Sequence, residues 1–281
     1  MEAHIHADRR SRLMAKMAGG VAVLPNAAEA LRNADVPHPF RPSSDFLYLT
    51  GFAEPDAVAV LIPDHPEHPY LLFVPPRDPD KEAWTGRRAG VEGAKRDFGA
   101  DEAYPLDQLD EVMPDLLADR ERLYVHFGRN RDFDQRVTGW LNATRAQARQ
   151  GVRAPDTLVD VEEMIHEMRL IKAPEELARM REAAAITCAA HRRAQEVVRP
   201  GMHEYQIQAE MEYIFHHSGA ERPAYPSIVA GGANACVLHY TENRDQLADG
   251  DLLLIDAGCE VDGYAADVTR TFPVGSAVTG A

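Results

Sequence analysis

Two aspartates, Asp256 and Asp267, have a spacing that could let them bind a metal ion together. They lie in β-rich segments on either side of the turn signal Asp262-Gly263, which predicts an antiparallel hairpin. If residues 260–263 form a four-residue loop, Asp256 faces Asp267, with Cβ atoms about 4.5–5.5 Å apart. Facing carboxylates repel each other, and a divalent cation removes this repulsion because hard cations bind carboxylate oxygen. The sequence thus predicts half of a carboxylate metal site.

The alternative for this pair is a solvated surface pair that binds nothing. The Leu-Leu-Leu-Ile run at residues 252–255 argues against it, because a continuous apolar run is typical of a strand that is buried on both faces. An aspartate at the end of such a strand needs a partner. Both interpretations stay open on the residues alone.

A third candidate, His239, lies upstream in a segment at residues 236–241 that is predicted to be a strand. A lone histidine on a strand is more often structural than catalytic. Its nearness in sequence to the aspartate pair favours a catalytic role, since histidine is the usual proton carrier near neutral pH. Another histidine pattern, His166-Glu167, fails as a zinc motif because Leu170 stands where the second histidine belongs.

The composition bears on partners and compartment. The 281-residue chain has a formal net charge of −15, which disfavours general binding to nucleic acid or to anionic membranes. No segment reaches the ~18 apolar residues of a membrane-spanning helix, and the polar N-terminus lacks the apolar core of a signal peptide. Cys188, Cys236 and Cys259 are odd in number and widely spaced, as is typical of thiols in a reducing compartment. We therefore expect a cytoplasmic protein.

Two domains are predicted, residues 1–172 and residues 173–281. In the first, strand and helix signals alternate, which favours an α/β layer structure. One of its predicted strands covers residues 46–50. In the second, Pro174 stands at the first position of a long helix, and the apolar spacing predicts another helix over residues 204–217.

Several segments together resemble one family, the metallopeptidases with the pita-bread fold, and within it bacterial aminopeptidase P, the Xaa-Pro aminopeptidase. The two aspartate segments look like the first two metal-ligand segments of that family. The other similar segments are Leu238-His239-Tyr240-Thr241-Glu242-Asn243, the linker at residues 166–176 and the segment at residues 44–52. The resemblance covers essentially the whole chain.

The resemblance implies an α/β N-terminal domain with a mixed sheet that helps to form a dimer or tetramer, followed by the first half of an α+β pita-bread domain. It also implies two divalent ions, manganese in most members, with Asp256 on one ion and Asp267 bridging both. A metal-bridging hydroxide would attack the carbonyl group of the residue before proline. His239 would contact the substrate or stabilise the tetrahedral intermediate, and Trp84 and Asp45 would lie near the active site of a neighbouring subunit.

The chain departs from the family pattern at its end. The family also uses one histidine and two glutamate ligands, which lie well beyond the second aspartate. This chain ends at Ala281, so we expect a truncated or cleaved product, or the first of two polypeptides. For the chain alone we expect weak or no metal binding and no activity.

The expected function is that of a metal-dependent aminopeptidase, which releases the N-terminal residue from Xaa-Pro peptides and is complete only in a longer parent protein. One alternative is a non-catalytic fragment that serves oligomer assembly or partner binding. Another is a prolidase-type dipeptidase, which dipeptide and tripeptide substrates would distinguish. A first domain of this length argues against methionine aminopeptidase, and the aspartate pair argues against a metal-free amidinohydrolase of the creatinase type.

Overall fold

A computed structural model describes residues 3–275 of the chain. The chain divides into two units, Met1–Ile171 and Lys172–Ala281. Residues 276–281, which contain the end on which the expected truncation rests, lie outside the described residues. Within residues 3–275, every helix is too short or too polar to cross a membrane.

In the first unit, helices and strands alternate along the chain. The helices are α1 (Ala3–Lys16), α2 (Ser44–Thr50), α3 (Pro79–Thr85), α4 (Gly90–Phe98), α5 (Leu109–Leu117), α6 (Arg131–Ala146) and α7 (Glu162–Leu170). The strands are β1 (Val21–Pro25), β2 (Leu31–Asn33), β3 (Val36–Pro37), β4 (Val58–Leu61), β5 (Tyr70–Val74), β6 (Glu102–Pro105), β7 (Arg122–Tyr124) and β8 (Thr157–Val159). Short 3-10 segments, Leu106–Gln108 and Gln147–Gln150, adjoin α5 and α6.

Strands of the first unit form a six-stranded sheet in the order β6-β5-β4-β1-β7-β8. β4 runs antiparallel to β1 and β5, whereas β7 is parallel to β1 and β8, and β5 is parallel to β6. The expected α/β domain with a mixed sheet is therefore confirmed. Strands β2 and β3 pair with each other in a separate small hairpin.

Helices cover both faces of the six-stranded sheet, and the strand sequences reflect this. In β1, Ala22 and Leu24 belong to the core beneath α1, α2, α4 and α7, whereas Val21 and Val23 belong to the core beneath α5 and α6. Apolar residues at both alternating positions are typical of a strand between two layers.

The segment at residues 46–50 is helical, so its prediction as a strand is wrong. It forms α2, which ends at Gly51 in the left-handed conformation with φ 69°. Phe46 and Leu49 bury their side chains in the core, and the Thr50 hydroxyl donates to the Phe46 carbonyl. A short apolar run fits a buried helix as well as a strand, and here tertiary packing decides between them.

The second unit places two helices against two small sheets. Its elements are α8 (Pro174–Val197), α9 (Glu204–His217), β9 (Arg222–Pro223), β10 (Ile228–Gly231), β11 (Leu252–Asp256), β12 (Cys259–Val261), β13 (Tyr264–Ala265) and β14 (Thr269–Pro273). The sheets have the orders β10-β11-β14 and β13-β12-β9. The helix start at Pro174 and the helix over residues 204–217 are confirmed.

The hairpin exists, but its predicted register is wrong by two residues. Val261 pairs with Tyr264, so the turn contains only Asp262 and Gly263, and both have positive φ, at 50° and 79°. This is the two-residue turn that Asp-Gly favours, rather than a four-residue loop. In the same register Asp256 faces Thr269 and not Asp267. Because side chains alternate with a period of two, the shift still leaves both aspartates on one face.

Two further predictions in this unit are wrong. Residues 236–241 do not form a strand, because a 3-10 helix, Gly232–Cys236, runs into a turn there. In β11, Leu253 and Ile255 are fully buried, whereas Leu252 is 48% exposed. The apolar run of β11 therefore has one core face, against α8 and α9, and one open face in the described structure.

Candidate metal centre

Asp256 and Asp267 lie where the hairpin changes from one sheet to the other. Asp256 is the last residue of β11, and Asp267 lies in the short link between β13 and β14. At this crossing, the Ala257 amide donates to the Val268 carbonyl at 3.2 Å. The alternation of side chains along β11 puts Asp256 on the open face, opposite the core residues Leu253 and Ile255.

A single phenol joins the two carboxylates. The Tyr225 hydroxyl lies 2.5 Å from Oδ1 of Asp256 and 3.1 Å from Oδ1 of Asp267. Burial raises the pKa of Tyr225 well above its usual range, and the hydrogen bond to Asp256 raises it further. The phenol therefore stays protonated at neutral pH and shares its one proton between two acceptors.

Tyr225 was not predicted from the sequence. It lies just before β10, whose Ile228 pairs with Asp256. Only the register between β10 and β11 brings it to the aspartates, and no spacing motif marks it. The hairpin itself was predictable from the Asp-Gly turn, but its neighbour in the sheet was not.

The crossing is closely packed. A Cβ atom at Gly258 would lie 1.8 Å from the carbonyl oxygen of Ala266, so only glycine lets the two chain segments approach this closely. From the core side, Nε2 of His191 in α8 lies 3.2 Å from the Ala257 carbonyl. His191 is 4% exposed, and burial lowers its pKa, so the neutral ring donates to that carbonyl. The backbone beside Asp256 is thus held by the core.

The residues at this crossing fit a divalent cation. Two carboxylates converge on one point, which the Tyr225 hydroxyl marks, and oxygen ligands suit hard or borderline divalent ions. Within residues 3–275, no third His, Cys, Asp or Glu completes a ligand cluster with this pair. The described chain could therefore offer two carboxylates to such an ion.

His239 lies on an exposed loop between β10 and β11. The residue before it, Leu238, is 90% exposed. The loop returns along β10, because the side-chain oxygen of Asn243 accepts from the Val229 amide at 3.0 Å. His239 therefore lies in a loop that is anchored to β10, the strand next to β11, and is not itself part of a strand.

The two other predicted site residues lie in the first unit. Trp84 in α3 is 90% exposed and makes no core contact there. Asp45, at the start of α2, accepts hydrogen bonds from Arg169 and His166 of α7, and its side chain is only 14% exposed. Within its own unit, Asp45 links two helices.

One further cluster of possible ligands, His126, Asp160 and Glu162, lies at the carboxyl ends of β7 and β8. Arg129 already forms an ion pair with Glu162, and an Asp160 oxygen accepts from the Glu162 amide. These contacts account for both carboxylates, so the cluster is a network of charges at a sheet edge.

Comparison with known proteins finds a family match in each of the two units. Residues 6–126 match the aminopeptidase P N-terminal domain, and residues 178–280 match metallopeptidase family M24. The Xaa-Pro aminopeptidase of Escherichia coli (strain K12) is 45% identical over 273 residues, which are 96% of this chain and 62% of that protein.

Solved structures agree with the sequence matches. Pseudomonas aeruginosa aminopeptidase PepP has a TM-score of 0.96 and 49% identity, covering 97% of this chain and 62% of that one. A zinc-substituted Escherichia coli aminopeptidase P in complex with product has a TM-score of 0.94 and 42% identity, with coverage of 97% and 62%. The chain thus spans less than two thirds of the length of these relatives. The chain belongs to metallopeptidase family M24, with an aminopeptidase P N-terminal domain ahead of its pita-bread region.

Proposed function

We propose that this chain forms part of a metal-dependent aminopeptidase, which releases the first residue from peptides with proline at the second position. The observation that carries the proposal is the convergence of Asp256 and Asp267 on one phenol. Two relatives that match across both units, from Escherichia coli and Haemophilus influenzae, are Xaa-Pro aminopeptidases. The whole activity requires ligands beyond this pair.

In this proposal Asp256 and Asp267 hold the metal and His239 meets the substrate. A bound divalent ion would supply a Lewis acid that polarises the scissile carbonyl and lowers the pKa of water. Tyr225 orients the two carboxylates, and His239 donates to or accepts from the peptide beside them. We propose manganese as the native metal, although one relative accepts zinc.

Three finer points belong to the same proposal. We propose a homo-oligomer in which the exposed Trp84, and with it Asp45, lies near the active site of a neighbouring subunit. We propose a cytoplasmic location, to which the free cysteines Cys188, Cys236 and Cys259 are suited. The partner at the site is a peptide and not nucleic acid, in keeping with the net charge of −15.

The test is peptide hydrolysis by the whole natural protein that contains this sequence. With Mn²⁺ we expect release of alanine from the tripeptide Ala-Pro-Ala, and much slower release from the same peptide with alanine in the middle. Asp256→Asn and Asp267→Asn should each lower kcat/KM by at least about a hundredfold, because each removes a charged metal ligand. Asp249→Asn, the same change at an exposed site, should retain activity.

Two outcomes would favour the alternatives. Hydrolysis of the dipeptide Ala-Pro, without hydrolysis of the tripeptide, would indicate a prolidase-type dipeptidase. Release no faster than in a metal-free control would contradict the aminopeptidase and favour a chain that serves assembly or partner binding.

A further inference from the structure

The loop that carries His239 is not held by apolar packing. It runs from the end of β10 at Gly231 to Asp245, and its apolar residues Val237 and Leu238 are 54% and 90% exposed. A surface loop of this kind keeps one conformation only where polar contacts fix it.

One buried carboxylate makes those contacts. Glu204, the first residue of α9, is fully buried, and its two oxygens accept four hydrogen bonds. Two come from the backbone at the ends of the loop, the Gly231 amide at 2.8 Å and the Asp245 amide at 3.0 Å. Two come from side chains within the loop, Asn234 Nδ2 at 3.1 Å and the Tyr240 hydroxyl at 2.7 Å.

This arrangement requires a carboxylate. Each oxygen of Glu204 accepts one backbone and one side-chain donor, so both oxygens are fully used. A glutamine would replace one oxygen by an NH₂ group and direct it at two donors. The position at the start of α9 also favours a negative charge through the helix dipole.

A second contact holds the loop against the sheet that carries Asp256. The Asn243 side chain is 1% exposed, accepts from the Val229 amide and donates to the Ser227 carbonyl at 2.8 Å. Ile228, between those two residues, pairs with Asp256 in the sheet. Together with the Glu204 contacts, this returns the chain after His239 to the strand beside the aspartates.

We infer that Glu204 is a positioning residue for His239: it fixes both ends and two side chains of the loop, and so restricts the positions that the imidazole can take. That His239 meets the substrate rests on the proposed function. That Glu204 fixes the loop does not, and the two statements are tested separately.

The first test measures the loop in the 281-residue chain without any assay of activity. Hydrogen exchange should be roughly tenfold faster in Glu204→Gln at Gly231, at Asp245 and between them, with α8 and β11 unchanged. The NMR signal of the His239 ring, assigned through His239→Gln, should shift towards the position of a free histidine. The control Glu210→Gln makes the same change elsewhere on α9, where the half-buried Glu210 pairs with Arg193 of α8, and should alter neither.

The second test measures hydrolysis by the whole natural protein with Mn²⁺. Glu204→Gln should lower kcat about tenfold or more, with a smaller change in KM, because the transition state needs the oriented imidazole. In the double variant with His239→Ala, activity should be no lower than with His239→Ala alone, since Glu204 acts through His239. A further loss in the double variant, in proportion to that of Glu204→Gln alone, would overturn the positioning role.

A milder variant keeps the inference testable if Glu204→Gln does not fold. Tyr240→Phe retains the ring and removes one of the four hydrogen bonds, so it should show the same changes at smaller size. Unchanged exchange and an unchanged His239 signal in both variants would overturn the inference, whether or not the protein hydrolyses peptides. Faster exchange in Glu204→Gln, together with no hydrolysis by the wild-type whole protein, would contradict the proposed function and leave the positioning of the loop by Glu204 standing.

Discussion

At the scale of single residues, the candidate centre depends on one hydroxyl group. Tyr225 donates to both Asp256 and Asp267, at the place where a bridging cation would compensate the two charges. Burial is the main cause that raises the pKa of Tyr225, so the hydroxyl keeps its proton at neutral pH and can donate it to the carboxylates. The phenol thus lets two like charges lie together before any metal binds.

Replacing Tyr225 by phenylalanine should therefore destabilise the metal-free protein. The change retains the ring but leaves the two carboxylates without a shared donor. Because Asp267 is exposed and water can replace part of the lost bond, we expect a loss of about 1–2 kcal/mol in the free energy of unfolding. Urea unfolding at pH 7 with a chelator present measures it.

A suitable control is Tyr213→Phe, the same change at a residue of α9 that is 59% exposed. This variant should be within about 0.5 kcal/mol of the wild type. Equal stabilities of Tyr225→Phe and Tyr213→Phe would show that the shared hydrogen bond contributes nothing.

At the scale of elements, sequence patterns predicted some features well and missed others for identifiable reasons. The helix over residues 204–217 has a clear apolar stripe, and the structure has it at those residues. The hairpin was expected because Asp262-Gly263 is a strong turn signal, but the two-residue turn shifts its register. The apolar run at residues 46–50 does not distinguish a helix from a strand, and its outcome depends on distant residues.

Those distant residues lie in α1 and meet the carboxyl end of α2. His6 Nδ1 and Arg9 both lie within hydrogen-bonding distance of the Tyr48 carbonyl, and Arg10 donates to the Leu49 carbonyl. Basic groups suit the carboxyl end of a helix, whose last carbonyls lack partners. The sequence positions of α1 alone do not indicate this contact.

The same contact predicts a pH dependence of stability. Burial lowers the pKa of His6 from its usual 6.5 to about 4 in the folded protein. The unfolded chain therefore binds a proton between these values that the folded chain does not, so stability falls as pH drops through this window. Relative to a variant without this imidazole, the free energy of unfolding should fall by up to about 3 kcal/mol between pH 7 and pH 4.

Denaturant unfolding of wild type and His6→Gln across this range measures the difference. The wild type should show the steeper fall, and the two curves should run parallel above about pH 7. His38→Gln, at an exposed position of the same unit, should keep the slope of the wild type. Equal slopes for His6→Gln and wild type would mean that His6 is not held neutral.

At the scale of the whole molecule, the described chain brings together two carboxylates and no third ligand of the proposed metal centre. The relatives extend well beyond it, since the chain covers 62% of the Escherichia coli protein. Two carboxylates with no third ligand in the described residues should bind a divalent cation weakly. The net charge of −15 attracts cations at long range but does not replace a missing ligand. The nearness of Asp256 and Asp267 was predictable from the sequence, whereas their shared contact with Tyr225 was not.

Metal titration of the 281-residue chain tests this view. We expect Mn²⁺ to bind with a dissociation constant of about 1 mM or weaker, so that 1 mM ion raises the free energy of unfolding by about 0.4 kcal/mol or less. The whole natural protein should gain several-fold more under the same conditions. Two tightly bound ions in the 281-residue chain, lost in Asp256→Asn, would show that the chain holds a complete centre.

The short turn between β12 and β13 has a consequence for how the protein folds. The two aspartates lie on either side of one hairpin. The pairing of Val261 with Tyr264, which brings the two sides together, encloses only a two-residue turn. Contacts between such near neighbours in a chain form early, typically within about 1–10 μs for a hairpin. The backbone pairing of this hairpin should therefore form first, and the carboxylate pair should become stable only when β10 joins the sheet and brings the Tyr225 hydroxyl to both aspartates.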